Sequence, residues 1–369
     1  PDIAVAGSTL LAIQILWALA LANTVGAIGV RYVVRGFLVI TLVTSLVAVW
    51  YYYGRNPTLR AKFPFGNPTF LSACLIPGIT LSLAWVCHGI VRAHCTRSKS
   101  TFCWALLTVC AFAAGLWAFR LTDSRGAQVG LGAAVLAAAF FALRGRWRIA
   151  PIALAIMLGV VGWFYYADTA RTSLAGRGDS LRLRGYAWNY AIRLFADRPF
   201  TGHGQGGYAL LGDSFVANDI LNDPLVFDGP IDHAHNEWLE SLADMGIVGT
   251  ILVSAVFVLT LVGVHSSLRN GDSEHRWCLI GLAASLVGLA VEECAGVGLR
   301  VSEVPVAFYT VLGLTWAGAT FDRFKVLVWT SKAAWRGIGL GVVCMAAALG
   351  AMSITQLDFQ SARSSFEIQ

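Results

Sequence analysis

Residues 246–268 read GIVGTILVSAVFVLTLVGVHSSL, a run of 23 residues without Asp, Glu, Lys or Arg. A helix of about 20 apolar residues is long enough to cross the hydrocarbon core of a bilayer, which is about 30 Å thick. The run is continuously apolar and does not alternate with polar residues, which argues against a strand of a membrane barrel. This stretch therefore predicts a transmembrane α-helix.

The same signal recurs along most of the chain. Of its 369 residues, 57% are hydrophobic and 13% are charged, whereas soluble domains carry about 25% charged residues. The sequence predicts an all-α polytopic membrane protein, a multi-span helical bundle with one large, partly helical external loop. The candidate spans are 3–29, 33–53, 69–91, 101–120, 127–143, 149–166, 246–268, 277–298, 304–321 and 337–356.

One long polar segment, residues 167–245, divides the predicted organisation into three parts. Residues 1–166 hold about six spans, and residues 246–369 hold about four spans and a short tail. The segment between them is predicted to carry the catalytic elements. Because the chain begins with Pro1 rather than Met, we expect residues upstream to be missing.

The distribution of basic residues predicts the orientation. Alternate short loops on one face hold 14 basic residues and the short segments of the other face hold 6, so the first face is predicted to be cytoplasmic and 167–245 external. The net charge of +6 then reflects positive-inside loops and not a nucleic-acid partner. The first face holds Arg31, Arg35, Arg92, Arg97, Lys99, Arg144, Arg146, Arg148, Arg269, Arg276, Arg323, Lys325, Lys332 and Arg336, and the second holds Arg55, Arg60, Lys62, Arg125, Arg300 and Arg363.

Within the polar segment, the sequence predicts two helices. Asp179 and Ser180 can cap a helix that runs to about Ala196. A second helix is expected to start near Asp232 and to continue into the membrane. The glycines between them, Gly202 to Gly207, allow tight turns or close approach to a ligand, but their G-x-G-x-x-G letters follow no predicted strand and do not indicate a dinucleotide site.

His235 is placed for chemistry at the point where the polar segment re-enters the membrane. Histidine accepts a proton near neutral pH, so it could act as a general base. Two other interpretations stay open: a helix-capping or interfacial histidine with one structural hydrogen bond, and a metal ligand. The residues that could share a metal with it are Asp232, Asp228, His233 and His203. None of the eight cysteines lies in this segment, so neither a disulfide framework nor a Cys-ligated metal is expected.

Several arginines are predicted on the same face as His235. Arg125 precedes a span, and Arg184 lies one helical turn before Trp188. Permanently charged guanidinium groups can bind a pyrophosphate through two hydrogen bonds at once and stabilise it as it leaves. The alternatives for Arg125 are an ion pair with Asp123 or capping of the carbonyls at a helix end, and the alternative for Arg184 is a solvated helix face.

Glu292 and Glu293 are unusual because they interrupt an apolar span near its external end. Charged residues at such depth usually have a partner. They could orient His235 or an arginine, and an ion pair with Arg300 is the interpretation that we favour from the sequence.

Together these residues resemble the bacterial O-antigen ligase family, whose wider group also contains O-antigen polymerases and protein O-oligosaccharyltransferases. The resemblance covers about residues 100–320 and is most specific in the last of four elements. These are Ser124-Arg125-Gly126, Arg184-x-x-x-Trp188, Pro199-Phe200-Thr201-Gly202-His203-Gly204, and His235-Asn236-x9-Gly246-x-x-Gly249.

The resemblance implies a metal-independent glycosyltransferase with no cofactor, in the inner membrane of a bacterium with its active site facing the periplasm. The donor would be an O-antigen glycan on undecaprenyl pyrophosphate, and the acceptor would be lipid A–core among the membrane lipids. It implies that Arg125 and Arg184 bind pyrophosphate and that His235 activates the acceptor hydroxyl. The predicted substrate-binding residues are Arg182, Trp188, Gly202, Gly204 and Asn236.

Two other functions remain open from the sequence. A polymerase or a protein O-oligosaccharyltransferase of the same group would carry the same motifs. A transporter of lipid-linked glycans would favour broken helices, mid-membrane polar residues and an internal repeat. Here the polar residues lie at one interface and no repeat is evident, which favours an enzyme.

Overall fold

The computed structural model describes residues 2–55, 60–92, 99–172, 178–211, 232–269, 272–300 and 303–319. These ranges contain helices and no strand, which confirms the predicted all-α class. Two short 3-10 turns, Gly145–Arg148 and Gly298–Arg300, accompany the α-helices. The α-helices are α1 (Asp2–Thr24), α2 (Gly26–Arg55), α3 (Pro68–Arg92), α4 (Lys99–Thr122), α5 (Arg125–Ala142), α6 (Ile149–Thr172), α7 (Gly178–Asp197), α8 (Gly207–Leu211), α9 (Glu237–Ser267), α10 (Ser273–Glu292) and α11 (Val304–Gly318).

Seven helices of the described ranges are long and apolar enough to cross a membrane. Two of the predicted spans correspond instead to shorter apolar helices, Thr9–Thr24 and Val304–Gly318. The predicted span at 337–356 lies outside the described residues. The chain is therefore a multi-pass helical membrane protein.

The helix α10 lies at the centre of the bundle, where it packs against α3 and α5. Small residues allow the close approach to α5: a Cβ atom on Gly130 would lie 2.6 Å from the carbonyl oxygen of Gly288. Membrane helices use such small residues because van der Waals packing, and not the hydrophobic effect, holds them together.

At each end of the bundle, contacts join segments that the sequence predicts on the same face of the membrane. At one end, Arg35 Nη2 donates to Glu274 Oε1 over 3.0 Å, and Arg276 Nη2 donates to the Ala142 carbonyl over 3.0 Å. At the other end, which we call the α7 end, the Glu237 amide donates to the Glu293 carbonyl over 2.9 Å. Which end faces the cytoplasm stays a prediction.

The two predicted helices of the polar segment are present with shifted starts. The first is α7, and the second begins at Glu237 instead of Asp232 and continues to Ser267 as α9. Gly246 interrupts α9 with φ +63° and ψ −173°. The domain boundaries at residues 166 and 245 stay predictions.

Candidate functional site

A loop docks on the α9 kink and forms the floor of the candidate site. The kink frees backbone groups of α9, and the loop that follows α7 supplies their partners. The His203 amide donates to the Ala243 carbonyl over 3.1 Å, and the Gly204 amide donates to the Asp244 carbonyl over 2.8 Å. The Ile247 amide in turn donates to the Pro199 carbonyl over 2.8 Å. Buried backbone groups need such partners, so the loop and the kink specify each other.

Two glycines make this docking possible. A Cβ atom on Gly202 would lie 2.3 Å from the Asp244 carbonyl oxygen, and one on Gly246 would lie 2.4 Å from the Phe200 carbonyl oxygen. Both glycines have positive φ, which disfavours any side chain. Gly204 has no atom within 4 Å of such a Cβ. The predicted contact of Gly202 and Gly204 with a phosphate stays a prediction, and Gly202 has this separate structural requirement.

A small apolar core holds α7, α8 and the start of α9 together. Tyr208 is fully buried, its hydroxyl donates to the Ala187 carbonyl over 3.0 Å, and its ring lies 4.7 Å from that of Tyr190. Leu194 and Ala243 complete the contact between the helices. This core fixes where the polar residues of α7 and α9 project.

Beneath this core lies a buried ion-pair network around Arg300. Its Nε atom lies 3.0 Å from Glu237 Oε2 and 3.3 Å from Glu240 Oε1. Its Nη1 atom lies 2.5 Å from Asp244 Oδ2. The Asp244 side chain, which is fully buried, also accepts from the amides of Gly206 and Tyr208 over 2.9 and 2.8 Å.

The same network fixes the turn that precedes α9. Glu240 Oε2 accepts from the Ala234 amide over 2.7 Å, and Glu240 Oε1 lies 3.0 Å from His233 Nδ1. Desolvation opposes protonation of His233, but the hydrogen bond and charge of Glu240 outweigh it and raise the pKa of His233. The contact with Glu240 therefore holds His233 in place.

His235 follows in a conformation that few side chains adopt. Its φ is +50°, in the left-handed region, and such non-glycine residues are concentrated at functional sites. Desolvation by the surrounding protein lowers the pKa of His235, and the positive charges of Arg184 and His233 lower it further. The imidazole of His235 is thus kept neutral and able to accept a proton at neutral pH.

Asn236 caps α9. Its Oδ1 atom accepts from the amides of Trp238 and Leu239 over 3.1 and 3.2 Å. Oδ1 is therefore already engaged by the helix, and the predicted contact of Asn236 with substrate stays a prediction.

We expect Asn236→Ala to lower the free energy of unfolding by about 1 kcal/mol, since the two amides lose their acceptor. Asn236→Asp keeps an acceptor at a helix N-terminus and should leave stability nearly unchanged. Thermal unfolding of both variants in one detergent measures the difference. Equal losses in the two variants would contradict the capping role.

Arg184 lies on α7 and is half-buried. It is close enough to both His235 and Glu292 for its charge to lower the pKa of His235 and to interact with the Glu292 carboxyl group. Trp188, one turn further along α7, has a buried indole Nε1–H without a hydrogen-bond partner among the described residues. Arg182 also belongs to α7, but its side chain lies outside the described part of the structure.

Arg125 is the first residue of α5 and is exposed. Asp123 interacts instead with Arg120, whose Nη1 lies 3.6 Å from Asp123 Oδ1, so the sequence-based alternative of an Arg125–Asp123 ion pair is wrong. The next residue, Gly126, faces the segment after α10, because its Cβ would lie 3.3 Å from Ala295 Cβ. Arg125 therefore lies at the α7 end, on a helix that packs against Glu292.

The expected ion pair between Arg300 and the Glu292–Glu293 pair is wrong, because Arg300 binds the acidic residues of α9. Glu292 and Glu293 are buried at the end of α10. Glycines of the following segment make room for their carboxyl groups: a Cβ on Gly296 would lie 3.2 Å from both Glu292 carboxyl oxygens. Glu292 interacts electrostatically with Arg184.

Two of the residues suggested as metal ligands, His203 and His233, have other contacts. His203 Nε2 lies 3.1 Å from the Leu194 carbonyl oxygen, and His233 binds Glu240. Among the described residues, no group of three or more His, Cys, Asp or Glu side chains is arranged to hold a metal ion. Asp228 lies outside the described residues.

The sequence interpretation did not identify the acidic partners of Arg300. The sequence does contain a pattern that could have indicated them. Glu237, Glu240 and Asp244 follow one another at intervals of three and four residues, which places them on one face at the start of an apolar helix. Such residues beside a membrane require a cationic partner.

The fold and this site define a multi-pass helical membrane protein with a histidine and an arginine juxtaposed at one end of its bundle. A family model described as O-antigen ligase matches residues 110–254, a range that contains Arg125, Arg184 and His235. This match covers about two fifths of the chain and supports the resemblance to the O-antigen ligase superfamily. No curated protein matches the sequence. The superfamily consists of glycosyltransferase-like enzymes that act on lipid-linked glycans.

Proposed function

We propose that this protein is an O-antigen ligase that transfers a glycan en bloc from undecaprenyl pyrophosphate to lipid A–core. It would act in the bacterial inner membrane, with the site facing the periplasm. The observation that carries the proposal is that His235, whose imidazole is neutral and whose backbone has a left-handed φ, lies near the positive charge of Arg184. Both residues fall inside the range that matches the family model.

The proposed chemistry is a single displacement. His235 takes the proton from an acceptor hydroxyl, whose oxygen attacks the anomeric carbon from the face opposite the pyrophosphate. The bond from that carbon to the pyrophosphate breaks, and the configuration of the carbon inverts. Pyrophosphate needs charge stabilisation more than protonation as it leaves, which Arg184 and Arg125 can supply.

Positive charge from the two arginines also makes a metal ion unnecessary in this proposal. We expect purified protein to transfer a lipid-linked glycan to lipid A–core at its full rate in excess EDTA. Loss of activity that a divalent ion restores would contradict the metal-free mechanism.

The same assay distinguishes the ligase from its relatives. A ligase requires lipid A–core as acceptor, whereas a polymerase extends one lipid-linked glycan with another. A protein O-oligosaccharyltransferase requires a polypeptide acceptor. Transfer only to one of these other acceptors would overturn the ligase assignment and retain the wider enzyme class.

A further inference from the structure

Five arginines lie at the end of the bundle opposite the α7 end. They come from the turn between α5 and α6, from the residues after α9 and from the first turn of α10. We call them the arginine cluster: Arg144, Arg146, Arg148, Arg269 and Arg276. The proposed transfer reaction makes no use of them.

Two guanidinium groups of the cluster are fixed on neighbouring backbone atoms. Arg276 Nη2 donates to the Ala142 carbonyl over 3.0 Å, and Arg148 Nε donates to the next carbonyl, that of Leu143, over 2.9 Å. Arg148 also reaches α9, where its Nη1 atom lies 3.2 Å from His265 Nε2. These contacts bring the ends of α5, α9 and α10 together and hold the two arginines in place.

Like charges are close together in this cluster. Arg144 and Arg148 are near enough to Arg276 for their charges to act on it, and Arg148 and Arg269 act on His265 in the same way. Such charges repel one another. The carbonyls at the end of α5 offset only part of the repulsion, since a helix C-terminus carries about half a negative charge.

No carboxylate of the described ranges forms an ion pair with the cluster. The acidic residues closest in sequence to Arg276 are Asp272 and Glu274, and they bind Arg31 and Arg35 instead. The positive charge of the cluster is therefore available to an anionic ligand.

The cluster lies at the border between the membrane and water. Trp147, in the same turn, is 63% exposed, and Arg146 Cζ lies 5.7 Å from the centroid of its ring. Exposed tryptophans are typical of the level of the lipid headgroups. Apolar surface begins directly beside them, with Ile149 of α6 and Val262 of α9 64% and 59% exposed. A ligand can thus place its polar head at the arginines and its hydrocarbon chains along these helices.

The chemistry of arginine selects a phosphate group. The planar guanidinium donates two parallel hydrogen bonds to phosphate oxygens, and basic pockets between membrane helices bind lipid headgroups. The positive-inside preference explains why basic residues occur in these loops, but it requires no contact between them. A headgroup with a net negative charge is favoured, because the choline of a zwitterionic lipid would bring a further positive charge to the arginines.

From this complementarity we infer that the arginine cluster binds the phosphate of an anionic phospholipid whose acyl chains lie along α6 and α9. This site is at the opposite end of the bundle from Arg184 and His235. The inference goes beyond the proposed function and does not depend on it.

The test uses the full chain in phosphatidylcholine nanodiscs with a small fraction of phosphatidylglycerol that carries a photoreactive diazirine on its acyl chain. A parallel sample contains phosphatidylcholine with the same photoreactive chain, so the two probes differ in headgroup charge. We expect phosphatidylglycerol to label residues 147–152 and 258–265 about tenfold more than phosphatidylcholine, the effect of one further charge-assisted contact. Residues 248–252, at the other end of α9, should show no preference. Equal labelling by the two probes at the cluster would overturn the inference.

A titration distinguishes a site from the general attraction of basic loops. Labelling at the cluster should saturate as the fraction of phosphatidylglycerol rises, because a site holds a fixed number of molecules. A linear rise without saturation would overturn the inference.

Two double variants provide a matched comparison. Arg144→Gln with Arg269→Gln should reduce the preference for phosphatidylglycerol to about twofold or less, since each basic residue at a membrane surface contributes roughly a factor of five to anionic lipid binding. Both side chains are exposed. Arg55→Gln with Arg120→Gln removes the same number of charges from exposed positions at the α7 end and should leave the preference unchanged. Equal losses in the two double variants would contradict the assignment.

Inorganic pyrophosphate tests the source of the phosphate. At matched ionic strength it should leave the labelling unchanged, and displacement of the lipid probe would assign the cluster to a soluble phosphate compound and overturn the inference. Labelling requires no glycan transfer, so failure of the transfer assay leaves the result of this test intact.

Discussion

Replacement of His235 by asparagine is expected to slow glycan transfer about 10²–10⁴-fold, the range typical for loss of a general base. Asparagine is the informative substitution because it tolerates the left-handed backbone at φ +50° but cannot take up the proton. Turnover at saturating donor and acceptor measures the effect. Near wild-type turnover in His235→Asn would refute the assignment of the base.

The pH dependence of the same two proteins provides the control. Because burial and the charges of Arg184 and His233 lower the pKa of His235, its neutral form persists below the ordinary value of 6.5. Wild-type activity should therefore fall only at a pH below 6.5, as the imidazole becomes protonated. This acidic limb should be absent from the residual activity of His235→Asn, whereas a purely structural role would leave it in place.

Asp244→Ala is expected to destabilise the protein by about 3–5 kcal/mol, the cost of breaking a buried ion pair by removing one partner. Asp244 is fully buried and accepts from Arg300 and from the amides of Gly206 and Tyr208. Its loss leaves all three donors without that partner, in surroundings that water does not reach. Thermal or denaturant unfolding in detergent measures the change.

Asp123→Asn is the matched control for this prediction, because asparagine tolerates the backbone φ of +47° at this position and removes only the charge. Asp123 also pairs with an arginine at the α7 end, but the two side chains are 67% and 77% exposed. Such surface pairs contribute only about 0–1 kcal/mol. Similar losses in Asp244→Ala and Asp123→Asn would contradict the view that the Arg300 network holds the site together.

The helical fold could be predicted from the sequence because each apolar run must satisfy its own backbone hydrogen bonds within the membrane. The helix α7 could be predicted as well, from its apolar stripe and its start near Asp179. The sequence prediction placed the start of α9 five residues too early. The residues before the helix form a turn instead, because the Glu240 side chain accepts a hydrogen bond from the Ala234 amide.

The site could be predicted only in part. The candidate residues His235, Arg125 and Arg184 follow from motifs, and in the structure Arg184 is near enough to His235 for its charge to lower the pKa of the imidazole. The partners of Arg300 were assigned wrongly, because the choice between Glu292–Glu293 and α9 depends on the path of the chain after α10. Local sequence does not determine that path. Likewise, no local pattern indicates that the backbone at Gly202 contacts the backbone at Gly246.

The most direct test of the account is the affinity of the protein for undecaprenyl pyrophosphate in nanodiscs. Arg184→Met and Arg125→Met should each weaken binding about tenfold or more, since each removes charge-assisted hydrogen bonds to the pyrophosphate. His235→Asn should retain the wild-type affinity. So should Arg120→Met, which removes an exposed arginine near the same end of the bundle. Unchanged affinity in both Arg184→Met and Arg125→Met would contradict a pyrophosphate site at these residues.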